Sequence, residues 1–273
     1  MDSNVPRTNH LIWLRYLAAF SIVFSHTRQF DTAPASYSEI VGTLTWFYPG
    51  VPVLLFISGF VISLSYSTGS SFTPYIIKRI LRIYPPLWAS FLVSIVLLFS
   101  TGVLPPMDIN WLKFLAWSLG QITLVFFYHP DFLAHFGVGV LNGSLWVIPV
   151  IFQFYLLLPL IKRVDTYWVS QKKPYLIYIV LMGAGIFNTG FHYAHNFHES
   201  NITKVIHFLT VMPWLFFFLL GYVFSRDFHK FYKSGFLGWA PWLALHFMLF
   251  WILSEMGFNW GRNDINPLLF TVL

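Results

Sequence analysis

Residues 11–27 read LIWLRYLAAFSIVFSHT, an apolar run that carries two ionisable side chains, Arg15 and His26. Ionisable groups are expensive inside a bilayer, so an Arg and a His in one apolar segment call for a function or a partner. The step from 15 to 26 turns a helix through about 1100°, roughly 20° past three full circles, so both side chains leave one face. Along the axis they lie about 16 Å apart. A passage along that face would carry a fixed positive charge at one level and a titratable base near the other end.

The rest of the chain agrees with a membrane setting. Of the 273 residues, 57% are hydrophobic and 10% are charged, against about 25% charged in an ordinary soluble domain. The mean hydropathy is +0.65. Apolar segments fall at 11–28, 44–65, 85–104, 111–128, 142–161, 175–191, 207–224 and 236–254, and a ninth begins at 265. The expected fold is therefore all-α, a polytopic transmembrane helix bundle of about eight apolar segments plus the start of a ninth, in one domain over 1–273. The final run, INPLLFTVL, is shorter than the roughly 20 residues a span needs, so the chain is read as truncated. The N-terminus lacks the basic region and small-residue cleavage site of a signal peptide.

Lys and Arg set the orientation. With the N-terminus in the cytoplasm, eleven fall inside: Arg7, Lys78, Arg79, Arg82, Lys162, Arg163, Lys172, Lys173, Arg226, Lys230 and Lys233. Four fall outside, Arg28, Lys113, Lys204 and Arg262. This asymmetry is a topology signal, and it accounts for the net charge of +6 without invoking nucleic acid. Parity requires that 111–128 lie in the interface or re-enter. No Asp or Glu falls inside the eight segments, whose ionisable groups are Arg15, His26, Lys113, His207 and His246.

After the second segment comes TPYIIKRILRIYPPLW. Arg79 and Arg82 are three apart, on one face of a short amphipathic helix at the inner surface, and Pro85 and Pro86 open the next segment, where proline costs little. Two guanidinium forks there suit phosphate groups. The plainer reading is anchoring to anionic lipid.

Four motifs, in order, make the chain resemble acyltransferase family 3, membrane enzymes that O-acylate envelope glycans. Arg15 and His26 match the family's Arg-x10-His. VLLFISGFVIS, with Ser58, Gly59 and Phe60, resembles its FFxxSGFLI segment. KRILRIYPPLW matches its Arg-x-x-Arg on Arg79 and Arg82. NGSLWVIPVIFQFYLLLPLI, with Ser144, Leu145, Trp146, Gln153 and Tyr155, resembles its SLWxxxVExxFYLLLPL helix. The likeness covers roughly residues 9–165, and the remainder more loosely.

The resemblance implies a multi-pass protein of the bacterial inner membrane, with the N-terminus cytoplasmic. It implies an O-acyltransferase that takes an acyl group, acetyl first among the candidates, from cytoplasmic acyl-coenzyme A to a hydroxyl of an envelope polysaccharide or lipid-linked glycan. Arg79 and Arg82 are then the candidates for the coenzyme's phosphates. The pantetheine arm would run past Arg15, and His26 would serve as general base or transient acyl carrier. Membrane lipids are the remaining partners. The plainer readings are a hydrogen-bonded helix-end histidine at 26 and an Arg15 that snorkels to the headgroups.

One position departs from the pattern. Where the family has Glu, this chain has Ile151. A carboxylate there would orient the imidazole or move its proton. The nearest outer-loop acids are Asp31 and Glu39. Either the Glu is dispensable, or an outer acid replaces it, or the protein is a non-catalytic relative. A glycan exporter is the rival of another class, but the internal repeats that would support it are not found.

Other groups carry less. With no cysteine, disulfides, thiolate metal sites and a cysteine nucleophile are excluded. His192, His195 and His198 recur in FHYAHNFHES, read as an outer loop; this is not the spacing of a helical zinc site, and no metal is expected. Trp46 and Tyr48 are candidates for stacking on sugar.

Overall fold

The computed structural model describes residues 9–27, 36–37, 40–41, 50–67, 69–100, 109–126, 128–133, 143–198 and 200–227. The described regular structure is entirely helical. The helices described over their full length are α1 (Asn9–Thr27), α2 (Gly50–Ser65), α3 (Phe72–Ser100), α4 (Trp111–Ile122), α5 (Val147–Ser170), α6 (Leu176–Phe197), α7 (Asn201–Leu209) and α8 (Leu215–Arg226). The segments expected at 236–254 and from 265 lie outside the described residues, as do Asp31, Glu39, Trp46, Tyr48 and His246.

Among the described residues, three helices are long and apolar enough to cross a membrane, over Phe72–Ser100, Val147–Ser170 and Leu176–His195. Residues 201–226 pass the same test only as a pair of helices bent by 60°, the geometry of a broken span or a re-entrant loop. This corrects the single segment expected over 207–224. The Ser200 hydroxyl accepts from the Thr203 N–H and starts α7. Thr210 closes it, and Pro213 in the turn Met212–Trp214 cannot continue the hydrogen-bond ladder of α7. α1 and α2 are shorter apolar helices.

The chain divides into two compact units, residues 1–68 with 160–273, and residues 69–159. In the first unit α2 is buried along most of its length. Small residues set its neighbours' approach. A Cβ at Gly59 would collide with the Phe218 carbonyl of α8, and one at Gly221 of α8 would collide with the Phe56 carbonyl of α2. Helices in lipid gain nothing from hiding apolar surface from water, so close backbone approach and dispersion hold them together. At Gly50 the same device seats α2 against Ala18 and Ile22 of α1. The opposite face of α1, with Trp13, Tyr16, Phe20 and Val23, is exposed, as a lipid-facing surface should be.

The first unit also holds an acid that the sequence reading had left outside the membrane segments. α5 runs on to Ser170, so Asp165 falls within it and is 4% exposed. Tyr222 of α8 donates to its Oδ2 at 2.6 Å, and Arg226 Nη1 lies 2.7 Å from its Oδ1. Arg226 also reaches Asp227 at 3.3 Å and covers the Tyr178 ring at 5.2 Å. Nearby on α5, Lys162 donates to the carbonyls of Ser63 and Tyr66 and so satisfies the end of α2.

In the second unit α3 corrects a second expectation. It is one helix of 29 residues, with Pro85 and Pro86 in its interior rather than at a helix start. The turn bearing Arg79 and Arg82 is thus continuous with the rest of α3. α4 has 12 residues, about 18 Å, too short to cross. Asn110 caps it by accepting from the Lys113 N–H, and Trp117 anchors it in a cluster with Leu98, Ile109 and Leu133. Trp88 of α3 donates to the Ile122 carbonyl at 3.0 Å.

Candidate functional site

α3 and α5 line a cavity inside the second unit. Ile83, Pro86, Leu87 and Ser90 of α3 face Ile148, Ile151 and Tyr155 of α5 across a cavity of about 330 Å³, with Leu145 and Arg82 completing the wall. Most of the lining is aliphatic. Arg82 is the cation on it, and Ser90 and Tyr155 carry the remaining polar side-chain groups. A pocket of this volume sits at the small end of those that take organic ligands. Ile151 lines the same cavity as Arg82, so the position where the family pattern has Glu is on its wall.

Arg79 and Arg82 are one helical turn apart, as their spacing requires, but their surroundings differ. Arg82 is exposed. Arg79 is 8% exposed, and its guanidinium lies 5.2 Å from the centre of the Tyr75 ring and 5.6 Å from that of Tyr155. Tyr75 sits four residues before Arg79, so the helix itself stacks the first pair. The Tyr75 hydroxyl donates to the Tyr155 backbone carbonyl at 3.1 Å and ties α3 to α5 beside the second ring. Aromatic faces attract a desolvated cation, which accounts for a buried guanidinium here. The sequence reading missed this role for both tyrosines. The Tyr75-to-Arg79 spacing was the available signal for one; nothing local in the sequence signals the other.

α1 carries the other two candidates. It is unbroken between Arg15 and His26, so their rise of about 16 Å and shared face hold. Ala18 and Ile22, which meet Gly50, fall on that same face, so Arg15 and His26 share the stripe of α1 that is turned toward α2. Arg15 is half-buried and His26 is exposed.

The histidines after 191 are placed differently from the loop expected. α6 continues to Phe197, which puts His192 and His195 on a helix. Both meet His207 of α7, with ring centres 5.3 Å and 4.9 Å away, and the Trp214 indole donates to the His207 carbonyl at 2.8 Å. Among the described residues, no group of three His, Asp or Glu side chains is placed to hold a metal ion.

With this geometry in hand, comparison with known proteins is decisive for the family. A family model described as "Acyltransferase domain", that of acyltransferase family 3, matches residues 9–273. The chain belongs to acyltransferase family 3. A curated relative, "Nodulation protein 10" of Rhizobium leguminosarum bv. viciae, is 30% identical over 254 residues, which is 89% of this chain. The alignment spans 66% of that relative's length. No solved structure matches. The motif-bearing helices α1, α2, α3 and α5 all fall within the region that the family model covers, and the apolar helices of this acyltransferase-family protein make it a membrane protein.

Proposed function

We propose that this protein is an integral-membrane O-acyltransferase of the bacterial inner membrane, with its N-terminus cytoplasmic. It takes an acyl group, acetyl in the simplest case, from acyl-coenzyme A and places it on a hydroxyl of an envelope polysaccharide or lipid-linked glycan. The observation that carries the donor assignment is the exposed Arg82 on the wall of an otherwise largely aliphatic cavity. An anion trailing a flexible arm matches that pairing of a cation with an apolar space.

His26 is the proposed base. In its neutral form it takes the proton of the acceptor hydroxyl as the oxygen attacks the thioester carbonyl. The carbon–sulfur bond then breaks, and the imidazolium returns the proton to the departing thiolate. Arg15, on the same stripe of α1, supplies a fixed positive charge that favours the anionic donor. Family membership and the preserved Arg-x10-His helix support this step.

Labelled acetyl-coenzyme A tests the reading with the purified protein in lipid nanodiscs and an envelope glycan extract. Transfer of label that His26→Ala abolishes and Arg82→Ala weakens is the expected result. Donor binding without transfer at any acceptor concentration would point instead to a non-catalytic relative, one of the three readings of Ile151. Glycan movement that ignores the donor would identify an exporter.

A further inference from the structure

The two arginines of the Arg-x-x-Arg turn occupy environments too different for one shared role. We infer that Arg82 is the phosphate contact, and that Arg79, clamped between Tyr75 and Tyr155, is a positioning residue that fixes the cavity wall beside it. This rests on the donor reading above and divides its labour.

Geometry carries the argument. A phosphate must reach a guanidinium's N–H fork in the plane of the group to form paired hydrogen bonds. Arg79 is 8% exposed and has two tyrosine rings beside its guanidinium. A hydrated phosphate approaching there meets the two rings first. Arg82 is exposed, on the cavity wall, and meets an anion without rearrangement.

Tyr155 connects the two. One side chain flanks Arg79 and lines the cavity that Arg82 and Ile151 also line. Its backbone carbonyl receives the Tyr75 hydroxyl from α3. The Tyr75–Arg79–Tyr155 stack therefore pins α3 to α5 at the level of the cavity. Loss of the stack lets the two walls shift, and the donor binds less well although no phosphate contact has been removed.

Salt separates the two roles. A direct ion contact is screened by added salt, whereas the fit of a cavity wall is not. The assay titrates coenzyme A into the full chain in nanodiscs of uncharged lipid, across a series of sodium chloride concentrations. Arg82→Gln is expected to weaken binding by roughly tenfold at low salt, the scale of one charge-assisted contact, and to flatten the salt dependence. Arg79→Gln and Tyr155→Leu are expected to weaken binding while keeping the wild-type salt slope. Tyr155→Phe, which keeps the ring and the backbone carbonyl, is expected to bind as wild type does. Should Arg79→Gln fail to purify, the contrast between Tyr155→Leu and Tyr155→Phe carries the test.

Equal flattening by Arg79→Gln and Arg82→Gln overturns the division of roles. So does a Tyr155→Leu variant with unaltered affinity. Wild-type protein that binds no coenzyme A at any salt overturns the donor reading itself, a failure distinct from either of these.

Discussion

Asp165→Ala should destabilise the first unit more than any surface change nearby. The carboxylate is 4% exposed and takes two short hydrogen bonds, from Tyr222 at 2.6 Å and from Arg226 at 2.7 Å. Removing one member of a buried ion pair costs about 3–5 kcal/mol when its partner is left stranded. Arg226 is not stranded here. It keeps Asp227 at 3.3 Å, the Pro174 carbonyl at 3.3 Å and the Tyr178 ring. The Tyr222 hydroxyl, by contrast, loses its acceptor, which by itself costs about 1–3 kcal/mol for a buried group. Adding the lost charge-assisted bond to Arg226 brings the expected loss to about 3 kcal/mol, the low end of the buried-pair range. Asp165→Asn retains a carbonyl oxygen for one donor and should lose about half as much. Equilibrium unfolding in bicelles measures both, and a Tyr222→Phe background separates the two hydrogen bonds. If Asp165→Ala unfolds with wild-type free energy, the network adds nothing and this account of how α5 and α8 are joined is wrong.

Three other outcomes follow from the packing. Gly221→Leu should separate α2 from α8, because the new side chain lands on the Phe56 carbonyl; overpacking of about 1–3 kcal/mol, read by the same unfolding assay, is expected, with Gly221→Ala milder. Ile151→Glu should insert and purify normally, since the residue lines a cavity that already holds Arg82; failure to purify would show that the position faces lipid. Lys113 and Asp131 form an exposed ion pair in which the hydrogen bond between them holds the Asp131 carboxyl below its usual range and raises the Lys113 ammonium. What this pair contributes is present above the ordinary carboxylate value of about 4, fades as pH falls through the depressed one, and fades again as pH rises through the raised lysine value. Both groups are solvated, so Asp131→Asn should leave unfolding unchanged at neutral pH, and a clear loss would refute the assignment of the pair as a surface contact.

Arg15 and His26 show what one helix can disclose from its letters. A helical period is a local property, so the shared face and the rise between the two were legible before any coordinates, and so was the turn between Arg79 and Arg82. The membrane class was legible too, because apolar length is set by bilayer thickness. Errors gathered where local and non-local demands compete. Hydropathy ended an apolar segment near 161, but α5 runs on to Ser170, and Asp165 on that extension meets Tyr222 and Arg226 across the unit. Hydropathy drew one span through 207–224, but the capped ends of α7 and Pro213 divide it.

The order of residues alone determined that this is an all-helical membrane protein, which residues share a helix face, and which motifs tie it to its family, since all three depend on spacing and composition along the chain. Only tertiary structure decided that Arg79 is enclosed by tyrosines while Arg82 lies on a cavity wall, and that Ile151 looks into that cavity. Such differences depend on which side chains another helix brings alongside, and no period within a single segment encodes its neighbour.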